Sequence, residues 1–172
     1  MAVFTQDGRV AMAKALYDMT LFLAVGEGLP EWDDQPRPTT PEEQAAQDAA
    51  WSVLSNLESP VGFTRVRDKY FVVPDPDGDI VMANGAKYSQ STEPTVYVFI
   101  RFQLDLSEAS NNTLRENGIF VGTKLAASVP AGQMFIPVAD VVDQGKMIEV
   151  DRFSPIVRDG SIGQTFPFIM IM

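Results

Sequence analysis

Three groups of residues have types and spacings that could do chemistry. The first is Glu27, Glu31, Asp33 and Asp34, with Trp32 among them. Two carboxylates beside a sugar-stacking ring would suit a glycan hydrolase, provided they are held at a set separation and one stays protonated. The stretch that carries most of them, "LPEWDDQPRPTTP", holds four prolines in residues 29–41. It reads as a solvated loop that fixes no such separation. The second group is "DPDGD", Asp75 to Asp79. A calcium loop needs Gly at its sixth position and Glu at its twelfth, and counted from Asp75 these are Ile80 and Ala86. A Pro-Asp-Gly turn between two strands accounts for the stretch without a metal. The third is Arg115–Glu116 in "NNTLRENGIFVG". Neighbours on a strand point to opposite faces, so the pair does not build one catalytic site. The expected arrangement is a strand whose charges face solvent or a partner, with Asn117-Gly118 in a hairpin turn or a bulge.

Composition narrows the chemistry further. The 172 residues include no Cys and no His, which removes thiolate nucleophiles, disulfides, imidazole bases and ordinary His- or Cys-ligated metals. Neither a Gly-rich phosphate loop nor a Ser-x-x-Lys pair is present. Thirteen Lys and Arg stand against 23 Asp and Glu, a net charge of −10. That sign repels nucleic-acid backbones and anionic membranes. No apolar run approaches the roughly 18 residues of a membrane span. The start "MAVFTQDGRV" lacks the cationic and apolar regions of a signal peptide, so a soluble protein made in the cytoplasm is expected. The expectation is therefore no catalytic residue, no metal ligand, no cofactor, and no nucleic-acid or membrane partner.

The elements that position these residues follow from periodicity. Residues 8–20 read as a helix with Asp7 as N-cap, and "LFLAVGEG" as a short buried strand closed by glycines. Thr40-Pro41-Glu42-Glu43 opens a second helix with a capping box. Its apolar stripe is Ala46, Ala50, Val53, Leu54 and Leu57, and Ser59-Pro60 ends it. After Pro60 the period falls to 2. "FTRVRDKYFVVP" is a strand. In "TVYVFIRFQLDL" Val96, Val98, Ile100, Phe102, Leu104 and Leu106 share one face. "KMIEV" and "RFSPIV" are two shorter strands. The end, "FPFIMIM", is apolar on both faces and must be covered by the protein's own sheet or by a partner. Trp51 falls beside the stripe of the second helix and suits packing better than sugar stacking.

In three places the chain resembles the phage tail-collar fibre and baseplate-associated tail proteins. An N-terminal helix leads to a strand ending in Gly26-Glu27-Gly28. A long alternating strand precedes Arg115-Glu116-Asn117-Gly118-Ile119-Phe120. Two closing pieces, "GKMIEVDRFSPIV" and "TFPFIMIM", end the unit. The insert at 31–41 lies outside that pattern. The resemblance implies a virion component of the tail or baseplate with adaptor duty and no catalysis.

The fold expected is α+β: a helical segment, 1–60, packed on a mainly antiparallel sheet or sandwich, 61–172, in one compact domain. The function expected is a structural subunit, made in the host cytoplasm and present in several copies, that joins other tail or baseplate proteins. Its assembly contacts are Arg115, Glu116, Asn117, Gly118, Phe166, Phe168, Ile169 and Met170, with strand addition at free edges such as the C-terminal strand. Two alternatives stay open: a carbohydrate-binding or adhesin module using Trp32 or Trp51, and a carboxylate-dependent glycan hydrolase using Glu27, Glu31, Asp33 or Asp34.

Overall fold

The structure, a computed structural model, describes residues 2–172. It has two α-helices and a large, mostly antiparallel sheet, in the α+β class. Helix α1 spans Gln6–Asp18. Its N-cap is Thr5, whose hydroxyl accepts from the Gly8 N–H at 3.1 Å, and Asp7 lies in the first turn instead of capping it. Strand β1, Leu21–Gly26, is buried throughout. A 3₁₀ turn, Pro30–Asp34, gives the proline-rich loop more order than its composition suggests.

Helix α2 spans Pro41–Trp51 and starts as the sequence implies. Thr40 accepts from the Glu43 N–H at 3.2 Å, and the Glu43 carboxyl accepts from the Thr40 N–H at 3.2 Å. Its end and its packing differ from expectation. The helix stops at Trp51, none of its residues is buried, and Val53 is 81% exposed. Ser52 donates its hydroxyl to the Ala49 carbonyl at 2.8 Å, and the Ser-Val-Leu-Ser-Asn that follows is poor in helix formers. Of the expected stripe, Leu57 alone is buried, and it reaches the core from irregular chain between α2 and β2.

The chain forms two compact units, each assembled from separated segments. One comprises residues 1–20, 66–103 and 165–172. It contains α1 and the second half of β2 (Pro60–Pro74), flanked by β5 (Tyr97–Leu104) and β4 (Lys87–Gln90); β3 (Ile80–Val81) continues from β4, and β11 (Gln164–Ile171) pairs with β5. Val96, Val98, Ile100, Phe102 and Leu104 are buried as their alternation requires, while Leu106 lies past the strand and is exposed. Tyr17 stacks on Phe71 at 4.7 Å, and Phe102 meets Phe168 edge-on at 6.0 Å. Asp75–Asp79 forms the connection from β2 to β3, with the Asp75 carboxyl accepting from the Asp77 N–H and the Ser89 hydroxyl.

The other unit comprises residues 21–65 and 104–164. Its strands run β10 (Lys146–Val157), β6 (Thr113–Val121), β1, the first half of β2, then β8 (Phe135–Pro137). A small pair, β7 (Lys124–Leu125) and β9 (Val141–Asp143), stands apart. Phe22, Ala24, Leu57, Phe63, Phe120 and Ile136 form its core, with Phe63 and Phe120 edge-to-face at 5.3 Å. Two expectations are corrected here. Asn117-Gly118 makes neither a turn nor a bulge, since it pairs in unbroken register with Val25 and Ala24 in the middle of the sheet. "KMIEV" and "RFSPIV" are one strand, β10, kept continuous by register shifts between Met147 and Glu149 and between Arg152 and Ile156.

Phe120 is fully buried in this core. Phe120→Ala is expected to cost about 3–5 kcal/mol of unfolding free energy, read as a lowered urea midpoint with an unchanged slope.

Candidate functional site

The segment between β1 and β2, residues 27–59, leaves and rejoins neighbouring antiparallel strands. The Glu27 N–H donates to the Ser59 carbonyl at 2.9 Å. The carboxyl of Glu116, on β6, accepts from the N–H groups of Glu58 and Ser59 at 3.1 and 2.8 Å. Glu116 is 1% exposed. Room for it depends on Gly26, where an added Cβ would lie 2.5 Å from the Glu116 Oε1 and 2.7 Å from the Ser59 oxygen. The expectation that Arg115 and Glu116 face solvent or a partner is therefore corrected: both serve this chain. Asn117 and Gly118 are buried beside them.

Arg115 points to the opposite face, as strand geometry demands. Its Nε and Nη2 donate to Asp33 Oδ1 and Oδ2 at 2.8 and 2.9 Å, a bidentate pair. Its Nη1 also donates to the Glu27 carbonyl. The Arg115 hydrogen bond holds the Asp33 carboxyl below its usual range. Glu27 turns its own carboxyl to the Thr113 N–H at 3.1 Å. The four acidic residues thus include one locked to a cation and one capping backbone. A general acid needs the opposite shift to that of Asp33.

Two arginines that the sequence reading passed over prove central. The Arg152 guanidinium lies 3.8 Å from the centroid of the Trp32 ring and 5.6 Å from that of the Trp51 ring. The two tryptophans therefore share one cation, which occupies ring surface that a sugar would need for stacking. Trp32 also closes on Gly28, where a Cβ would come within 2.3 Å of the ring. Around them runs a cleft of ≈ 410 Å³ lined by Arg37, Gln44, Gln47, Asp151, Ser154 and neighbours. Arg158 is buried, and its guanidinium donates to the main-chain carbonyls of Asp105, Glu108 and Ile162. No local motif could have found either residue, since their partners lie far away in sequence or on the backbone.

The C-terminal residues of the expected contact set sit elsewhere. Phe166 is buried, Phe168, Ile169 and Met170 are half-buried, and Ile171 is 60% exposed. Among the described residues, strand β11 has β5 as its pairing strand. The Met172 N–H donates to the Val96 carbonyl at 3.1 Å.

The charged side chains of this region are engaged with the chain's own backbone, carboxylate and rings, and the comparison with known families gives the class of the protein. The chain belongs to the family described as baseplate wedge 3 tail fiber network component, whose family model matches residues 1–172. It is a structural component of the phage baseplate and tail-fibre network, located in the virion tail. No curated protein matches the chain.

Two measurements test the local chemistry. Glu116→Ala leaves two N–H groups without their acceptor, and the loss is expected at about 2–4 kcal/mol, measured by denaturant unfolding. Glu149, at the first β10 bulge, has its carboxyl pushed up by burial and then by the nearby Asp151 charge. A raised carboxyl weakens the fold above its folded-state pKa, and that penalty fades as falling pH protonates it. Glu149→Gln is thus expected to raise Tm at pH 8, with the gain over the parent protein vanishing near pH 4.

Proposed function

We propose that the chain is a non-catalytic adaptor that joins other baseplate and tail-fibre proteins, in several copies, through the open edge of β11. One observation carries this reading: among the described residues, β11 is a long, uncharged strand with β5 as its one pairing strand. From Gly160 to Met172 there is no Lys, Arg, Asp or Glu. An open edge exposes unpaired N–H and C=O groups, and natural sheets protect such edges with charge, bulges, proline or brevity. The other strands paired on one side follow that rule. Strands β3, β7, β8 and β9 have two or three residues each, and β10 is bulged twice and carries Pro155. Strand β11 has Pro167 as its one protection. A neighbour's strand added to it would gain backbone hydrogen bonds and cover Ile171.

Phe166, Phe168, Ile169 and Met170 then act from the body side, holding β11 in place to be paired. Arg115, Glu116, Asn117 and Gly118 enter assembly by shaping the 27–59 segment. The sugar-binding alternative loses support because Arg152 already sits between the two tryptophans. The hydrolase alternative loses support because Asp33 is shifted downward.

Ile171→Lys places a charge on the open strand at an exposed position. It is expected to leave Tm unchanged and to abolish incorporation into tails, scored by complementation and electron microscopy. Deleting residues 168–172 is expected to give insoluble protein or defective particles. Normal incorporation of the Ile171→Lys protein would overturn the edge as the joint, and turnover on a glycan panel would overturn the adaptor reading.

A further inference from the structure

Residues 29–56 stand apart from the unit that carries them in one respect: not one of them is buried. The strands they connect show the contrast, since all six residues of β1 are buried. Apolar burial, the usual cement of a folded segment, therefore does little to hold this stretch down. What holds it is polar. Arg115 grips Asp33 with two hydrogen bonds. Arg37 Nη2 donates to the Ser154 hydroxyl at 2.6 Å. Arg152 of β10 sits between Trp32, in the 3₁₀ turn, and Trp51, at the end of α2.

The two roots of the stretch are fixed in another way. On one side the Glu27 N–H bonds to Ser59. On the other, Leu57 is in the core, and Glu58 and Ser59 are bonded by Glu116. The roots belong to the body, while the span between them is attached by three separate clamps. Helix α2 also carries its own capping box, so it keeps local structure when the clamps let go.

We infer that residues 30–56 form a strap that opens as a unit from a body that stays folded, with Arg152 as its main latch. Opening frees the Arg152 guanidinium and the ring faces of Trp32 and Trp51. It also uncovers the β10 stretch Asp151–Pro155 that lines the cleft with them. The Nε of Arg152 is buried and has no hydrogen-bond acceptor in the closed form. The closed latch therefore leaves a donor unsatisfied that opening returns to water. The strap also concentrates charge: residues 30–56 hold six of the 23 acidic side chains and one of the 13 basic ones.

The full-length protein reports on this directly, because its two tryptophans both lie in the strap. Acrylamide quenching of Trp fluorescence follows the strap, and amide hydrogen exchange read by mass spectrometry follows strap and body together. In the parent protein, the amides of α2 are expected to exchange through a local opening well before those of β1 and β6. Arg152→Ala is expected to speed α2 exchange roughly 2- to 30-fold, the range of a cation–π contact, and to raise quenching, with β1 and β6 unchanged. Arg37→Ala, at an exposed clamp, is expected to act in the same direction more weakly and serves if the first variant does not fold. Exchange of α2 as slow as that of β1, or acceleration of both together, would show that the strap opens only with the whole unit and would overturn the inference.

Discussion

The unit that carries the strap depends on one buried acid. Glu116 lies in the central region of the sheet, where β6 faces β1, and it takes up the N–H groups of Glu58 and Ser59 as the chain returns from its excursion. A returning chain that enters a sheet must satisfy its donors before the ladder begins, because buried N–H groups without acceptors are costly. Here one side chain performs that task for two residues. The geometry propagates outward: Gly26 must lack a side chain to admit the carboxyl, β1 pairs without interruption on β6, and β2 starts at Pro60, which has no N–H to satisfy. The same strand sends Arg115 to the other face, where it restrains the start of the strap. Adjacent, opposite charges thus do two mechanical jobs on two faces.

Arginine has a consistent use in this unit. Arg158 gathers main-chain carbonyls from two loops, Arg115 clamps a carboxylate bidentately, and Arg152 stacks with tryptophan. Each exploits the planar guanidinium that lysine lacks, Arg158 and Arg115 through its fork of donors and Arg152 through its flat face. In a chain without histidine or cysteine, these guanidinium groups supply the long-range fastening that a metal or disulfide gives to other small domains.

What could be read from the sequence divides along physical lines. Local signals were legible: the capping box at Thr40, the buried run of β1 and the alternation along β5 are each set by residues within one element. Non-local signals were not. Ala46, Ala50 and Val53 have the spacing of a buried stripe, but spacing states which residues share a face and not whether anything covers it. Asn117-Gly118 has turn chemistry, but its neighbours on β1 and β10 pair it into the middle of a sheet, where the missing side chain admits Met147. Glu116 looked like a surface charge because its partners are backbone groups almost sixty residues away. Arg152 looked scattered because an aromatic pair separated by nineteen residues closes around it only after folding.

A component of a network must be finished in its interior and unfinished at its edges. At the junction of β1 and β6 the interior is closed: β1 is buried along its whole length, and the Glu116 carboxyl takes up the N–H groups of Glu58 and Ser59. The edges are graded. Strand β10 is closed to further pairing by bulges and Pro155, while β11 stays long and free of charge. A monomer designed to stay alone would gain from reversing that choice, since a lysine on β11 costs little at an exposed position and blocks unwanted pairing. The contrast between a strongly protected edge and one guarded only by Pro167 in the same chain is what makes β11 the place where the proposed strand addition would cost this fold least.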